Sequence, residues 1–292
     1  MRPAPLCAAL FALALAACQP VRPAAPVAAA PVAVAADDNL NAVLWVQRSE
    51  EYQAASAQAY RAAIAQLDRA LAEGWDALVP AERPSAVGAE RPPAVVLDID
   101  ETVLDNSPYQ ARLVHSGEEF DDAGWEAWVE QRKAQPVPGV LEFARAASER
   151  GITMVYISNR TEQMKQATLD NLRAAGLPVA DDSVYMGMGM EVPGCAQAKP
   201  SEKLCRRQLA ASRYRVLMQF GDQLGDFLRV ADNSAAARQA LLRQHGQWFG
   251  QRWWMLPNPT YGGWESAAFD NKRTLPREAR RAAKREALET AP

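Results

Sequence analysis

The sequence predicts an α/β fold in which helices flank a central, mainly parallel sheet. Three short apolar runs, over residues 94–97, 152–157 and 215–220, have the length and composition of buried strands. Each run ends abruptly in polar residues, and helical patterns separate the runs along the chain. Strands that alternate with helices are typical of parallel crossovers, so the ends of these runs are expected at one edge of the sheet.

Helical periodicity precedes the first strand. Tyr60, Ile64, Leu67 and Leu71 recur at spacings of four, three and four, which predicts one or two helices over residues 40–71. Prolines between positions 80 and 93 then indicate a loop that leads into the strand.

The remaining elements follow in alternation. The predicted order is a helix around 125–128, a helix after Gly139 that ends at Gly151, the strand 152–157, a helix from Thr161 to Gly176, a strand at 184–186, a helix from Glu202, the strand 215–220, a strand at 253–256 and a basic helix after Pro276.

The N-terminal residues have the pattern of an exported protein. Residues 1–17 fit a signal peptide, with a basic start and an apolar run too short to span a bilayer. The stretch that ends in Cys18 resembles a bacterial lipobox, which predicts a lipid anchor on Cys18 in the outer membrane, facing the periplasm or the surface. An ordinary secretory signal is the alternative. Residues 18–37, rich in alanine and proline, are predicted to be a tether, and 38–292 the folded domain.

Two cysteines remain after such processing. Cys195 and Cys205 form an even pair ten residues apart, which favours a disulfide in an oxidising compartment. A zinc site is the rival interpretation, but neither His115 nor His245 lies at ligand spacing. The formal net charge of -3 gives no indication of binding to a nucleic-acid polymer.

Polar side chains follow three strands at the points where the strands end. These residues are Asp98 and Asp100, Ser158 and Asn159, and Asp222 and Asp226. A D-x-D pair can simply build a turn, but carboxylates that converge from separate strands require a cation. Ligation by oxygen alone predicts Mg²⁺, and Mg²⁺ in turn favours a phosphoryl substrate.

Phosphoryl chemistry needs a nucleophile, a proton donor and positive charge. A carboxylate beside Mg²⁺ can attack phosphorus, and a second acid two residues later can protonate the leaving oxygen. A lysine together with hydroxyl and amide donors can hold the transferring group. Asp98, Asp100, Lys203, Ser158 and Asn159 supply this set.

The motifs resemble those of the haloacid dehalogenase (HAD) superfamily, and in detail those of the class C acid phosphatases, bacterial outer-membrane lipoproteins that act as 5'-nucleotidases. The first motif runs from Asp98 to Ser107, the second is Ser158-Asn159-Arg160, and the fourth runs from Gly221 to Phe227. A further group-specific stretch runs from Met255 to Trp264. The resemblance covers roughly residues 40–275.

The resemblance implies a HAD-like Rossmannoid core over about 92–260. It also implies a smaller helical cap, built from about 40–90, 108–135 and 260–290. A Mg²⁺-dependent acid phosphatase that acts on nucleoside 5'-monophosphates and other phosphomonoesters would follow, with a homodimer left open.

The resemblance also implies a role for each site residue. Asp98 would be the nucleophile that forms an aspartyl-phosphate, and Asp100 the general acid and then base. Ser158 and Asn159 would bind phosphoryl oxygens, and Lys203 would hold nucleophile and phosphate together. The metal would be bound by the carboxylates of Asp98 and Asp222 and by the backbone carbonyl of Asp100. Asp226 would either contact the metal through a bound water or hold the loop in place. Trp125 and Tyr261 would sandwich a nucleobase or nicotinamide ring.

The sequence departs from the family at two points and leaves two alternatives open. Gln223 and Gly225 replace the usual residues of the fourth motif, and Lys199 lies near enough to compete with Lys203 as the active-site lysine. Phosphoryl transfer to an acceptor alcohol would use the same residues. A non-catalytic surface lipoprotein or ligand carrier on this scaffold is the other alternative.

Overall fold

The strands of the molecule form one central parallel sheet and one short antiparallel pair. The computed structural model describes residues 37–85, 88 and 90–291. Its strands are β1 (Pro93–Leu97), β2 (Leu104–Asp105), β3 (Gln135–Pro136), β4 (Thr153–Thr161), β5 (Tyr185–Met188), β6 (Arg215–Gly221) and β7 (Trp253–Met255). The sheet has the order β5-β4-β1-β6-β7 with every neighbouring pair parallel, and β2 pairs with β3. The predicted α/β class is confirmed.

Helices cover both faces of this sheet. They are α1 (Leu40–Arg48), α2 (Glu50–Ile64), α3 (Leu67–Ala72), α4 (Ser107–Ser116), α5 (Asp122–Val129), α6 (Val140–Glu149), α7 (Lys165–Ala174), α8 (Leu204–Arg213), α9 (Leu224–Phe227), α10 (Ala235–His245), α11 (Gly263–Ala267) and α12 (Arg277–Glu286). Of these, α4 and α5 lie in the segment that connects β2 to β3.

The central strand β1 contributes to two apolar cores. Successive side chains of a strand point to opposite faces. Val95 and Leu97 accordingly pack in the core that contains residues of α2, α6 and α7, whereas Ala94 and Val96 pack in the core that contains residues of α8. Burial on both faces explains why the strand reads as a continuous apolar run.

Helix α2 supports the loop that follows β1. Ser49 caps the helix by accepting a hydrogen bond from the backbone N–H of Tyr52. Near the C-terminal end of the helix, the buried hydroxyl of Tyr60 donates to the backbone carbonyl of Thr102 at 2.7 Å. The predicted N-terminal helices therefore hold the backbone of the first motif in place.

The end of β4 differs from the prediction. The sequence suggested that the strand stops at residue 157 and that a helix begins at Thr161, but β4 runs to Thr161 and α7 starts at Lys165 after a 3-10 turn. Pairing with β5 resumes at Thr161 opposite Met188, after a register shift that begins at Ile157. Such irregularities re-aim side chains at a strand end, and here they affect Ser158 and Asn159.

Helix α10 was missed by the sequence analysis. None of its residues is buried, so the apolar periodicity that reveals a packed helix is absent. Within the described part of the chain, no helix combines the length and apolar character needed to cross a membrane. The predicted signal peptide, Cys18 and nearly all of the tether lie outside the described residues.

Candidate active site

The first motif forms a tight turn at the end of β1. The backbone N–H of Asp98 donates to Phe220 of β6, and Glu101 adopts a left-handed conformation with φ of 58°. The Glu101 backbone N–H donates to Leu104 at 2.8 Å, which closes the turn. Asp98 is buried at 6% exposure. Non-glycine residues rarely adopt positive φ, and such strain is concentrated at functional sites.

Lys203 connects the first and fourth motifs. It occupies the N-cap position of α8, and its ammonium group donates to Asp98 Oδ1 and, at 2.7 Å, to Asp226 Oδ1. Burial by itself would lower the pKa of Lys203, but the charges of Asp226 and Asp98 outweigh burial and raise it. Lys199 is exposed. Of the two lysines considered, Lys203 is therefore the one that lies in the site.

Three carboxylates converge beside Lys203. Oxygen atoms of Asp98, Asp222 and Asp226 all lie within 4.8 Å of one another. Burial raises the pKa of Asp98 in spite of Lys203, with Asp226 and Asp222 adding to the rise. Burial also raises the pKa of Asp222, to about 7, and Asp226 reinforces the effect. A divalent cation bound beside Asp98 and Asp222 would offset the cost of ionising both carboxyl groups.

Asp222 is oriented for such a cation. Its Oδ2 accepts hydrogen bonds from Asn258 Nδ2 and Gln223 Nε2, both at 2.7 Å, while its Oδ1 accepts none from the described residues. Two ligands of one Mg²⁺ lie at most about 4.2 Å apart, so small rotations of the carboxylates suffice to bring them to one ion. The all-oxygen donor set fits a hard divalent cation.

Asp226 occupies a different position in the group. Its Oδ1 accepts from Lys203, and its Oδ2 accepts from the backbone N–H of Gln223 at 2.8 Å. Its side chain folds back over the end of β6, where a Cβ at Gly221 would lie 2.3 Å from it. With both oxygens engaged, Asp226 holds the loop and Lys203, which is one of the two roles that the resemblance implied.

Gln223 takes part in this arrangement although the family usually has another residue there. Its amide donates to Asp222 and to the Tyr261 carbonyl, and its Oε1 accepts from Gly263. The loop after β6 is therefore tied to the C-terminal stretch by Gln223, a residue at which the sequence departs from the family pattern.

The carboxylate of Asp100 points away from the three clustered acids. It contacts Ser158 at 3.3 Å, Arg160 at 2.8 Å and Asn106 at 2.9 Å. These contacts place the carboxyl group beside the end of β4. A metal role for Asp100 is thus left to its backbone carbonyl, as the resemblance implied.

Arg206 of α8 organises the end of β4. Its guanidinium donates to the carbonyl of Ser158 and, at 2.9 Å, to Asn159 Oδ1. A guanidinium has only donors, so the Asn159 amide must offer its oxygen to Arg206. The Nδ2 donors of this exposed asparagine are consequently left for a ligand, as a phosphoryl-binding residue requires.

The two aromatic residues assigned to base binding lie on separate segments. The Trp125 ring, on α5, packs edge-on against Tyr109 with centroids 5.2 Å apart. Tyr261 donates from its hydroxyl to the buried carboxylate of Glu101. Both rings are partly exposed and, among the described residues, do not contact each other.

A disulfide joins Cys195 to Cys205, with Cα atoms 5.7 Å apart. Cys205 is the second residue of α8, two positions after Lys203 and next to Arg206. The bond therefore ties the preceding loop to the first turn of α8, near Lys203 and Arg206.

Sequence reasoning missed several residues that the structure places around the site. Glu101, Asn106, Arg160, Arg206 and Asn258 all contact predicted site residues. Most of them lie inside the quoted motifs, which is the signal that could have identified them.

Comparison with known proteins shows the family to which the chain belongs. The model of HAD superfamily, subfamily IIIB (Acid phosphatase) matches residues 12–264, so the chain belongs to that family. A class C acid phosphatase from Bacillus anthracis with tungstate bound is similar in structure, with a TM-score of 0.75 and 31% identity over 87% of this chain and 98% of that one. A second structure of the class C acid phosphatase from Bacillus anthracis has a TM-score of 0.73 and 30% identity over the same shares of the two chains. The predicted family resemblance is confirmed.

More distant relatives come from plants. Acid phosphatase 1 of Solanum lycopersicum is 26% identical over 166 residues, which is 57% of this chain and 57% of the tomato protein. Vegetative storage protein 2 of Arabidopsis thaliana is 28% identical over 134 residues, 46% of this chain and 49% of that protein. The match thus spans about half the length of these curated relatives.

Proposed function

We propose that this protein is an acid phosphatase that hydrolyses phosphomonoesters through a covalent intermediate on Asp98. The observation that carries the proposal is the position of Asp98 at the end of the central strand, where it accepts from Lys203 and has an oxygen within 4.8 Å of an Asp222 oxygen. A buried carboxylate with a lysine on one side and a cation site on the other is suited to attack an anionic phosphoryl group.

The proposed reaction has two steps. A carboxylate oxygen of Asp98 bonds to phosphorus as the ester P–O bond breaks, while Asp100 gives its proton to the departing alcohol oxygen. Water then attacks the aspartyl-phosphate and Asp100 takes a proton from that water, which releases phosphate and restores both carboxyl groups. Lys203, Ser158 and Asn159 bind the oxygens of the transferring group in both steps.

The metal belongs to the proposal as Mg²⁺, held by Asp98, Asp222 and the backbone carbonyl of Asp100. When bound, Mg²⁺ would neutralise the carboxylates and polarise a phosphoryl oxygen. Activity is expected to disappear in EDTA and to return with Mg²⁺. Tungstate, which shares the tetrahedral shape of phosphate, is expected to inhibit competitively.

Nucleoside 5'-monophosphates are the proposed substrates. Trp125 and Tyr261 are partly exposed rings. Trp125 lies 5.5 Å from the guanidinium of Arg160, which binds Asp100, and the Tyr261 hydroxyl donates to Glu101 of the first motif. Stacking of a nucleobase on an aromatic ring contributes about 1–3 kcal/mol. Tyr261→Ala is expected to raise KM for AMP about tenfold or more, and to leave KM for glycerol phosphate nearly unchanged. Tyr261→Phe, which keeps the ring, is the matched control.

The opposite pattern would refute the nucleotide assignment. If Tyr261→Ala affects both esters equally, the ring supports the loop instead of binding a base. If the phosphoryl group appears on an added alcohol instead of as free phosphate, the reaction is transfer. If no ester is cleaved under any condition, the non-catalytic alternative is favoured.

We also propose that Cys18 carries a lipid that anchors the protein in the outer membrane. The support is the sequence that ends in Leu15-Ala-Ala-Cys18 with Gln19 after it. The wild-type protein is expected in the detergent-soluble membrane fraction, and Cys18→Ala in the aqueous fraction. Identical partition of the two proteins would contradict the anchor.

A further inference from the structure

Arg160 is a buried cation in the second motif for which the proposed reaction provides no role. Its side chain is 1% exposed, and its Nε and Nη2 donate to Asp100 Oδ1 at 2.9 and 2.8 Å. Nη1 donates to the hydroxyl of Thr168 at 3.2 Å. A buried guanidinium needs a compensating charge, and its partner here is the carboxylate assigned to proton transfer.

The two oxygens of Asp100 have different surroundings. Oδ1 accepts both hydrogen bonds from Arg160 and a third from Asn106 Nδ2 at 2.9 Å. Oδ2 accepts only from the Ser158 hydroxyl, at 3.3 Å, among the described residues. A proton on Oδ1 would point at three N–H groups, none of which can accept a hydrogen bond. The transferable proton therefore belongs on Oδ2, the oxygen that lies beside the proposed phosphoryl-binding serine.

Asn106 is itself fixed in the orientation that this arrangement needs. Its Oδ1 accepts from the indole N–H of the buried Trp128 at 2.8 Å, which forces its Nδ2 toward Asp100. The donors on Oδ1 are thus anchored by buried partners, and Asp100 has little freedom to exchange its two oxygens.

Arg160 also contacts a residue of the proposed base-binding surface. The centre of its guanidinium lies 5.5 Å from the centroid of the Trp125 ring, which is within the range of a cation–π contact. One side chain therefore contacts both the acid and an aromatic ring of the substrate pocket.

We infer that Arg160 is a positioning residue for protonation of the leaving group. It holds Asp100 by Oδ1, so that Oδ2 presents its proton to the ester oxygen as the P–O bond breaks, and Asp100 then remains as the carboxylate that accepts a proton from water. This inference rests on the proposed function, because the acid role of Asp100 is assigned there. The need for a proton donor depends on the leaving group. Nitrophenolate is stable enough to depart as an anion, whereas an alkyl alcohol must be protonated as it departs.

The test compares kcat/KM for glycerol phosphate and for p-nitrophenyl phosphate in Arg160→Lys, which keeps the positive charge and loses the two-pronged guanidinium contact. This ratio reports formation of the aspartyl-phosphate and excludes its later hydrolysis, which is the same for both esters. General acid catalysis contributes about 100-fold or more, so kcat/KM for glycerol phosphate is expected to fall about 100-fold, and kcat/KM for p-nitrophenyl phosphate less than about tenfold. Asp100→Asn is expected to show the same dependence on the leaving group. Because Arg160 acts through Asp100, the double variant should be no slower than Asp100→Asn.

Other outcomes overturn the inference. Equal losses on the two esters, or losses that multiply in the double variant, would show a merely structural role for Arg160. If Arg160→Lys lacks a cooperative thermal transition and so is not folded, Asn106→Ser takes its place, because it removes the other donor to Oδ1. An equal loss of activity on the two esters in that variant would also refute the inference. A wild-type protein that cleaves neither ester would instead overturn the proposed function, and with it this inference.

Discussion

In the absence of a divalent cation, the carboxyl group of Asp222 is expected to make the protein less stable as the pH rises, which is the opposite of the usual effect of a carboxyl group. Most paired carboxylates stabilise a protein as the pH rises. Without metal, burial and Asp226 raise the pKa of Asp222 from its ordinary value of 3.8 to about 7. Between these values the folded state binds a proton that the unfolded state has released. Stability of the metal-free protein should therefore fall as the pH rises from about 4 to about 7.

The size of this effect follows from the same interval. At about 1.4 kcal/mol for each pH unit, the contribution of Asp222 to the free energy of unfolding declines by at most about 4 kcal/mol across the interval. Asp222→Asn removes the titration and keeps an oxygen that can accept from Asn258 and Gln223. The variant is therefore expected to be more stable than the metal-free wild type at neutral pH.

The assay is urea unfolding in EDTA at several pH values, with the difference between the wild type and Asp222→Asn as the readout. Asp68→Asn is a control of opposite sign, because hydrogen bonds from Arg150 lower the pKa of Asp68 and its contribution is lost as the pH falls. If the difference for Asp222→Asn is independent of pH, the site does not destabilise ionised Asp222. The clustered carboxylates would then give no support to a bound cation.

Two further predictions concern interactions that support the site. Glu82→Ala should lower the free energy of unfolding by about 3–5 kcal/mol because it leaves the fully buried Arg207 without its carboxylate partner. In urea unfolding, addition of Arg207→Met should recover part of this loss. A double variant that is no more stable than Glu82→Ala would contradict the reasoning. Replacement of Cys195 and Cys205 by serine should lower the free energy of unfolding by roughly 2–3 kcal/mol. Reduction of the wild-type protein should have the same effect. An unchanged thermal transition after reduction would show that the disulfide does not stabilise this loop.

The strand ends could be predicted from the sequence because the signal there is local. An apolar run that stops at Asp98, Ser158 or Asp222 marks both the strand and the point where it leaves the core. Parallel pairing then brings these points to one edge of the sheet without any further information. The same locality explains why the predicted strands were found, with errors confined to their bounds.

The buried cations could not be predicted in this way. Arg160 pairs with a carboxylate 60 positions away, and Arg207 with one 125 positions away. The residues next to a buried arginine in the sequence do not distinguish it from an exposed arginine such as Arg285 of α12. Their roles depend on which distant carboxylate the fold brings to them, and that requires the three-dimensional arrangement.

The predicted end of β4 was wrong for a related reason. Polar residues normally indicate the end of a strand, yet β4 continues to Thr161, where pairing with β5 resumes opposite Met188 after the register shift that begins at Ile157. Helix α10 was missed because it packs no apolar face into the core. In both cases tertiary context overrides the local signal.

The central claim is that Asp98 attacks phosphorus, and the most direct measurement is rapid acid quenching of the protein during turnover of AMP with Mg²⁺. We expect one phosphoryl group on the peptide that contains Asp98 in the wild type. We expect none in Asp98→Asn, together with a loss of kcat of at least about a thousandfold. An Asp98→Asn variant that keeps full activity, or a phosphoryl group on another residue, would contradict the mechanism.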